Sequence, residues 1–451
     1  MSMLLGLVAP VALVGATLLD GTGAAPVKDS VVLVGDGRIA CAGSRAQCPV
    51  PQGVKAVDVK GRWVVPGLVD AHVHFSQTGW ADGRPDALDV REAHPYEEVQ
   101  AELREHPERF FRSYLCSGVT AVFDVGGYPW SVAMARRLAD GPDAPHVAAA
   151  GPLLSTRDHW LNLPAERQFL FLKDEESART GVRYLKSIRS DAVKVWYIVS
   201  AERPVEASAP SVMAGGEAAR RAGLPLLVHA TGLAEAKVAL RAGAKLLVHS
   251  VDDLPVDDEF LGLLKSSGAI YCPTLTVVSG YLRMFEAAAA ASAPAIDDPN
   301  GCVDSLTRSR VAETARAPKP GEDVLERFRK RTARLNEVAR ANLKRVAAAG
   351  VPIAMGTDAG NPLTLHGPSV YAEMEAMEAA GLSPMQVLMA STRGGSLAMG
   401  REKELGTLEK GKAADLLVLD ADPLTGAASF RKMSQVMRAG VLRNVTELGS
   451  R

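Results

Sequence analysis

The 451-residue chain is long enough for one large domain and a smaller companion, and 47% hydrophobic with 23% charged residues is an ordinary globular composition. With 51 basic against 52 acidic side chains the net charge is −1, which leaves no electrostatic footprint for nucleic acid or an anionic membrane. Neither is expected as a partner.

The first stretch, MSMLLGLVAPVALVGATLL, is apolar but lacks a basic start and is interrupted by Pro10, so it is too short and broken for a membrane span. Two readings stay open: the remnant of a removed leader, or the first strand of the fold within APVALVGATLLDGTG, which is preferred. The compartment stays open with it, cytoplasmic as the sequence stands or exported if a leader is removed. The five cysteines do not decide. Cys41 and Cys48 flank a turn-like SRAQ and either pair in an oxidising compartment or remain free thiols.

From residue 8 to 63 the chain holds short β-like runs, VALVGATLL, SVVLVGDGRIACAG and VKAVDVKG, cut by Gly, Pro and Asp. Residues 405 to 445 resume that texture with LGTLEKGKAADLLVLDADP and QVMRAGVLR. Two distant segments of one texture predict a single small β-domain, residues 1–63 plus 405–451. Between them, over 64–404, eight apolar strand-like runs alternate with helical or loop-forming stretches: WVVPGLVDAHVHF, GVTAVFDVG, HVAAAGPLL, AVKVWYI, LPLLVHA, AKLLVHS, AIYCPTLTV and VPIAMGTDA. This alternation predicts a parallel sheet with crossover helices, and eight repeats favour a barrel. An open doubly wound sheet is the alternative, although no glycine-rich dinucleotide turn follows an early strand. An insertion at about 278–335 reads either as a lid over the functional face or as a surface excursion.

The chemistry gathers at the ends of these runs. His72 and His74 lie two apart on one strand and so face one side. Two imidazoles converging at a strand end suit a metal such as zinc, although an isolated His-x-His is a weak signal. Lys194 sits in the middle of AVKVWYI, His229 and His249 end PLLVHA and KLLVHS, and Asp358 ends VPIAMGTD. Barrel enzymes carry their catalytic groups at such C-terminal strand ends.

PGLVDAHVHF followed by VKVW, LVHA, LVHS and GTDAG, with the closing LGTLEKGKAADLLVLDADP, resembles the amidohydrolase superfamily of metal-dependent hydrolases, nearest to its binuclear prolidase-like and imidazolonepropionase-related members. The resemblance implies an α/β fold, a distorted (β/α)8 TIM barrel with a small β-sandwich-like domain built from both termini. It implies two divalent ions, zinc by ligand type. His72, His74 and Asp358 would hold one and His229 and His249 the other, with Lys194 bridging as a CO2-derived carbamate. A buried lysine loses its charge readily, and the neutral amine can capture CO2. Such ions yield a hydroxide nucleophile at neutral pH and polarise a carbonyl, while Asp358 would carry the proton to the leaving amine. The expected reaction is hydrolysis of the amide bond of dipeptides, N-acyl amino acids or similar amides. Hydrolysis of an ester, carbamate, lactone or phosphotriester at the same site is the alternative. The expected partners are a small-molecule amide and further copies of the chain in a homo-oligomer.

Two departures narrow the expectation. Deaminases of the superfamily carry a glutamate three residues after the histidine that ends the fifth strand, where this chain has Gly232. Many prolidase-like members carry a tyrosine two residues after it, where this chain has Thr231. The candidates for substrate contact are His366, Trp196, Tyr197, Arg157 and His159; each has an equally simple role in packing or at the surface. His94, His106 and His146 lack a comparable setting and are expected to be structural or solvated.

Overall fold

The structure, a computed structural model, describes residues 9–138 and 141–449. The leader reading of residues 1–8 lies outside the described residues. Among those described, no helix is long and apolar enough to cross a membrane.

Both ends of the chain form two sheets. One orders Arg38–Ser44, Ser30–Gly35, Val11–Val14 and Lys55–Asp58; the other orders Val441–Asn444, Met433–Arg438, Leu416–Leu419, Trp63–Pro66 and Thr17–Leu18. Alternating apolar residues from the two sheets, among them Leu13, Val32, Val64, Leu416 and Met437, share one buried cluster. The run WVVPGLVDAHVHF is therefore not one strand. Trp63–Pro66 pairs antiparallel with Leu416–Leu419, and only Leu68–Val73 continues into the central domain. Gly67 makes the break, since a Cβ there would lie 2.1 Å from the Thr120 hydroxyl oxygen.

The central domain is built on two parallel sheets. Leu68–Val73, Val119–Asp124 and His146–Ala149 form one. The other orders Phe169–Phe171, Leu153–Ser155, Val193–Trp196, Leu226–His229, Ala244–Val248 and Ile270–Cys272. The predicted third run splits at Gly151, whose φ of 70° interrupts the pleat, and its halves enter different sheets. Phe169–Phe171 was not anticipated. The predicted eighth run, 351–359, forms isolated bridges rather than a regular strand: Ile353 with Tyr271 on one side and Ala359 with Val73 on the other. Pro352 has no N–H to donate, and the segment divides its bonds, Ala354 N–H to Tyr271 O at 3.0 Å and Asp358 N–H to His72 O at 2.8 Å. It thereby bridges the two sheets at that flank. Asp191 N–H to Ala149 O at 2.9 Å does so at the other.

Within these strands the period of two sets the site. Ala192 and Leu227 lie in the apolar interior cluster, and Lys194 and His229, two residues on, border a cavity. The predicted insertion contains helices Val277–Ala289 and Ser305–Ala312 and the first part of Glu322–Ala348. His146 is structural: its Nε2 lies 2.8 Å from Asp415 Oδ2 in a buried pair that Arg438 also joins. The pair ties a central strand to the terminal sheets. His106 is exposed against Glu108, and His94 meets Glu313 at 2.7 Å.

Two disulfides are present. Cys41 and Cys48 are paired rather than free thiols, and Cys116–Cys302, 186 residues apart, joins the end of helix Glu108–Cys116 to the insertion; Cys272 is free and buried. Denatured, unreduced protein is expected to titrate with about one thiol per chain, rising to the full five cysteines after reduction. Five thiols before reduction would contradict the pairing. Cys302→Ser is expected to cost about 2–5 kcal/mol of stability, read from denaturant midpoints.

Candidate active site

His72, His74, Lys194, His229, His249 and Asp358 all border one cavity of about 780 Å³. They come from five separate chain segments, so the fold gathers them. His72 Nε2 and His74 Nε2 are 3.2 Å apart and lie 3.2 and 2.9 Å from Asp358 Oδ1. His249 Nε2 is 3.9 Å from Asp358 Oδ2, and its ring lies 4.4 Å, centroid to centroid, from that of His229. Donor atoms of His72, His249 and Asp358 all fall within 4.8 Å of one another.

Tautomers follow from the surroundings. His74 Nδ1 is 2.7 Å from the Gly126 carbonyl and must donate to it, which leaves the Nε2 lone pair aimed at Asp358. His249 Nδ1 meets the Thr274 hydroxyl, which can accept from it or donate to it. Burial, reinforced by Lys194 and neighbouring imidazoles, pushes His72, His229 and His249 well below the usual histidine range. Neutral rings are the ligating form. Asp358 Oδ1 receives no hydrogen bond despite these close nitrogens. Lone pairs crowded on an unsatisfied carboxylate oxygen form a cluster that could hold a cation.

Lys194 is 1% exposed, and its Nζ has no hydrogen-bond partner. Burial lowers its pKa to about 8, against the opposing pull of Asp358. Two of the ligand candidates hold left-handed backbone, His249 with φ 72° and Asp358 with φ 64°. Such residues cost of order 1–3 kcal/mol each and persist only where their surroundings impose them. Gly356 is one reason the turn fits, since a Cβ there would lie 2.8 Å from His72 Cβ.

The proposed substrate contacts divide. Arg157, exposed, and His159, Trp196 and Tyr197 border the cavity. Tyr197 directs its hydroxyl to the Val205 carbonyl, and His159 packs between Phe169 and Trp196. His366 does not line the cavity. Its Nδ1 meets the Tyr114 hydroxyl at 2.7 Å and its Nε2 the Gln77 carbonyl at 2.9 Å, and its ring lies 3.9 Å from Phe110. The loop position suggested the opposite, but both ring nitrogens are already engaged in the core.

Sequence reading missed several residues of the site. Asp70, fully buried, accepts from His72 N–H, Thr357 N–H and the Thr357 hydroxyl at 3.2, 3.0 and 2.6 Å, and burial pushes it up to about 7. Arg84 pairs with Asp86, reaches Asn361 Oδ1 at 2.5 Å and lies over Tyr281. Asn361 in turn donates to the Asp358 carbonyl at 3.0 Å. Asp70 stood inside a quoted motif, but nothing in its spacing distinguished it; Arg84 and Asn361 occupy loops without periodicity.

The amidohydrolase family pattern matches residues 63–444. The chain belongs to the amidohydrolase family. It is 28% identical over 432 residues to imidazolonepropionase from Caulobacter vibrioides, covering 90% of this chain and 92% of that protein. A Xaa-Pro dipeptidase crystallised with bound methionine superposes with a TM-score of 0.70 at 20% identity, covering 97% of this chain and all of the other. A. niger ochratoxinase superposes at 0.72 and 21%, covering 96% of each. The fold is thus the α/β, TIM-barrel-like one of this family with its second domain, and the enzyme is a hydrolase of C–N bonds.

Zinc titrated calorimetrically into chelator-treated protein is expected to bind at this cavity. Asp358→Asn and His249→Ala are expected to weaken binding at least tenfold. Unchanged affinity in both would show that the cluster holds no metal.

Proposed function

We propose that this amidohydrolase cleaves an amide flanked by a free carboxylate, a dipeptide or N-acyl amino acid, at a centre of two divalent cations held by His72, His74, Lys194, His229, His249 and Asp358. The observation that carries the reading is the crowding of neutral imidazoles around Asp358 Oδ1 beside an unpartnered buried lysine. Zinc suits this imidazole and carboxylate set. Two cations held there would acidify a water and polarise the substrate carbonyl.

Lys194 contributes as a carbamate. Its neutral amine attacks CO2, forms an N–C bond and releases a proton, replacing a buried ammonium by an anionic ligand with two oxygens. Asp358 takes the proton of the attacking water and returns it to the departing amine. Its turn position holds the carboxylate facing both His72 and His249. Deamination is disfavoured because Gly232 stands where a glutamate would act; it opens helix Leu233–Arg241, its N–H bound by Glu235 at 2.6 Å. Carboxylate recognition falls to guanidinium groups on the cavity wall. Arg84 is already neutralised by Asp86, which leaves Arg157, Arg327 and Arg331, the last two with acidic neighbours at 3.9 Å (Asp323) and 4.0 Å (Asp252).

Lys194→Ala is expected to lose most turnover and one of two bound ions, with partial rescue by short carboxylic acids that would stand in for the carbamate's oxygens. Full activity without added acid would remove the carbamate from the account. The substrate class is tested with matched amides, one bearing a free carboxylate and the other its methyl ester. The free acid is expected to react at least tenfold faster in kcat/KM. Equal rates would discard carboxylate recognition.

A further inference from the structure

The helix Glu322–Ala348 presents Val324, Phe328, Arg331, Leu335 and Ala339 to the cavity, a spacing that keeps them on one face. Its other side carries exposed charges such as Glu326, Lys330 and Glu337. Beside it, helix Val277–Ala289 supplies Val278, Tyr281 and Phe285 to the same wall.

The three rings of this wall are not equivalent. Tyr281 is fixed on all sides: Arg84 lies 5.6 Å from its centroid, Phe328 stacks at 6.1 Å, and its hydroxyl donates to Asn361 Oδ1 at 2.6 Å. Phe285 is 2% exposed and meets Phe328 edge-on at 4.8 Å. Phe328 is supported by both rings yet only half-buried, as is Leu335. Their uncovered surface borders the cavity. A ring held firmly by two others, with apolar area open to a ligand-sized cavity, is what an apolar subsite requires. Asn361 also donates to the carbonyl of Asp358, so one side chain joins this wall to the turn of the candidate base.

We infer that this wall, centred on Phe328, receives an aromatic or bulky aliphatic side chain of the substrate and sets which amides the enzyme prefers. The inference rests on the amide-hydrolase reading for turnover but not for binding. Arg331, on the same helix face, places a cation next to the apolar surface, as a substrate joining such a side chain to a carboxylate would need.

The metal-loaded enzyme is assayed on Ala-Ala, Phe-Ala and Ala-Phe. Phenylalanine at one position is expected to raise kcat/KM roughly tenfold to a hundredfold over Ala-Ala. Phe328→Ala should remove that preference mainly through KM, Phe328→Leu should keep part of it, and Glu337→Ala should keep all. Independently of turnover, 3-phenylpropionate should bind at least tenfold more tightly than propionate by calorimetry, and Phe328→Ala should abolish the difference. Equal binding of the two acids to the unmutated protein, or a preference that survives in Phe328→Ala, would overturn the inference. If no dipeptide is cleaved while the binding preference is present and depends on Phe328, the dipeptide reading falls and the subsite stands.

Discussion

Asp70 is the constraint on which the site depends. It is fully buried, and its two oxygens accept three hydrogen bonds from the backbone of His72 and from Thr357. Thr357 precedes Asp358, so one carboxylate ties the first strand of the central domain to the segment that bridges the two sheets. Burying an acid costs several kcal/mol unless its lone pairs are satisfied, and here they are satisfied by the two segments that must stay in register. Glu373 does the same work on the neighbouring side. Also fully buried, it accepts Leu275 N–H, Thr276 N–H and the Thr276 hydroxyl at 2.7, 3.0 and 2.9 Å. Those residues follow Thr274, which meets His249. Each strained ligand turn, at Asp358 and at His249, is thus braced by a buried carboxylate outside the cavity.

With the geometry imposed, electrostatics follows. Burial strips water from the imidazoles and from Lys194, and Lys194 and the neighbouring rings further disfavour charge on His72 and His249. The lowest-cost state keeps the rings neutral and the lone pairs convergent. Unsatisfied acceptors facing one another favour a cation between them, and His72, His249 and Asp358 are placed so that they could hold one.

The central strands and the ligand candidates were legible in the sequence because strand ends are periodic: apolar runs ending in His or Asp announce which residues face one cavity. The terminal sheets were legible from texture shared across more than 340 intervening residues. What was not legible depends on non-periodic contacts. Gly67 and Gly151 divide runs that look continuous, because the break comes from a neighbour's side chain or a backbone torsion. His366 occupies the loop where a substrate contact would sit, yet Tyr114, Phe110 and Gln77 converge on it from elsewhere. Cys116 and Cys302 meet across 186 residues, with no local signal to join them.

The same division explains why the chemistry is easier to read than the substrate. The candidate ligands His72, Lys194 and His229 project from strands whose pleat dictates direction, so their types and spacing point to a shared role. The opposite wall belongs to helices of the insertion, where an aromatic at core spacing reads as packing until its uncovered side is seen. That wall is nonetheless stiff. Cys116–Cys302 fixes the insertion covalently, and the Tyr281–Asn361 bond fixes it against the Asp358 turn. A subsite held this way would lose little freedom on binding, and it would hold a substrate side chain at a set distance from Asp358, the proposed proton-transferring carboxylate. Under the proposed reading, selectivity for the side chain and placement of the scissile amide would have one structural source, because this wall is anchored through Asn361 to the Asp358 turn.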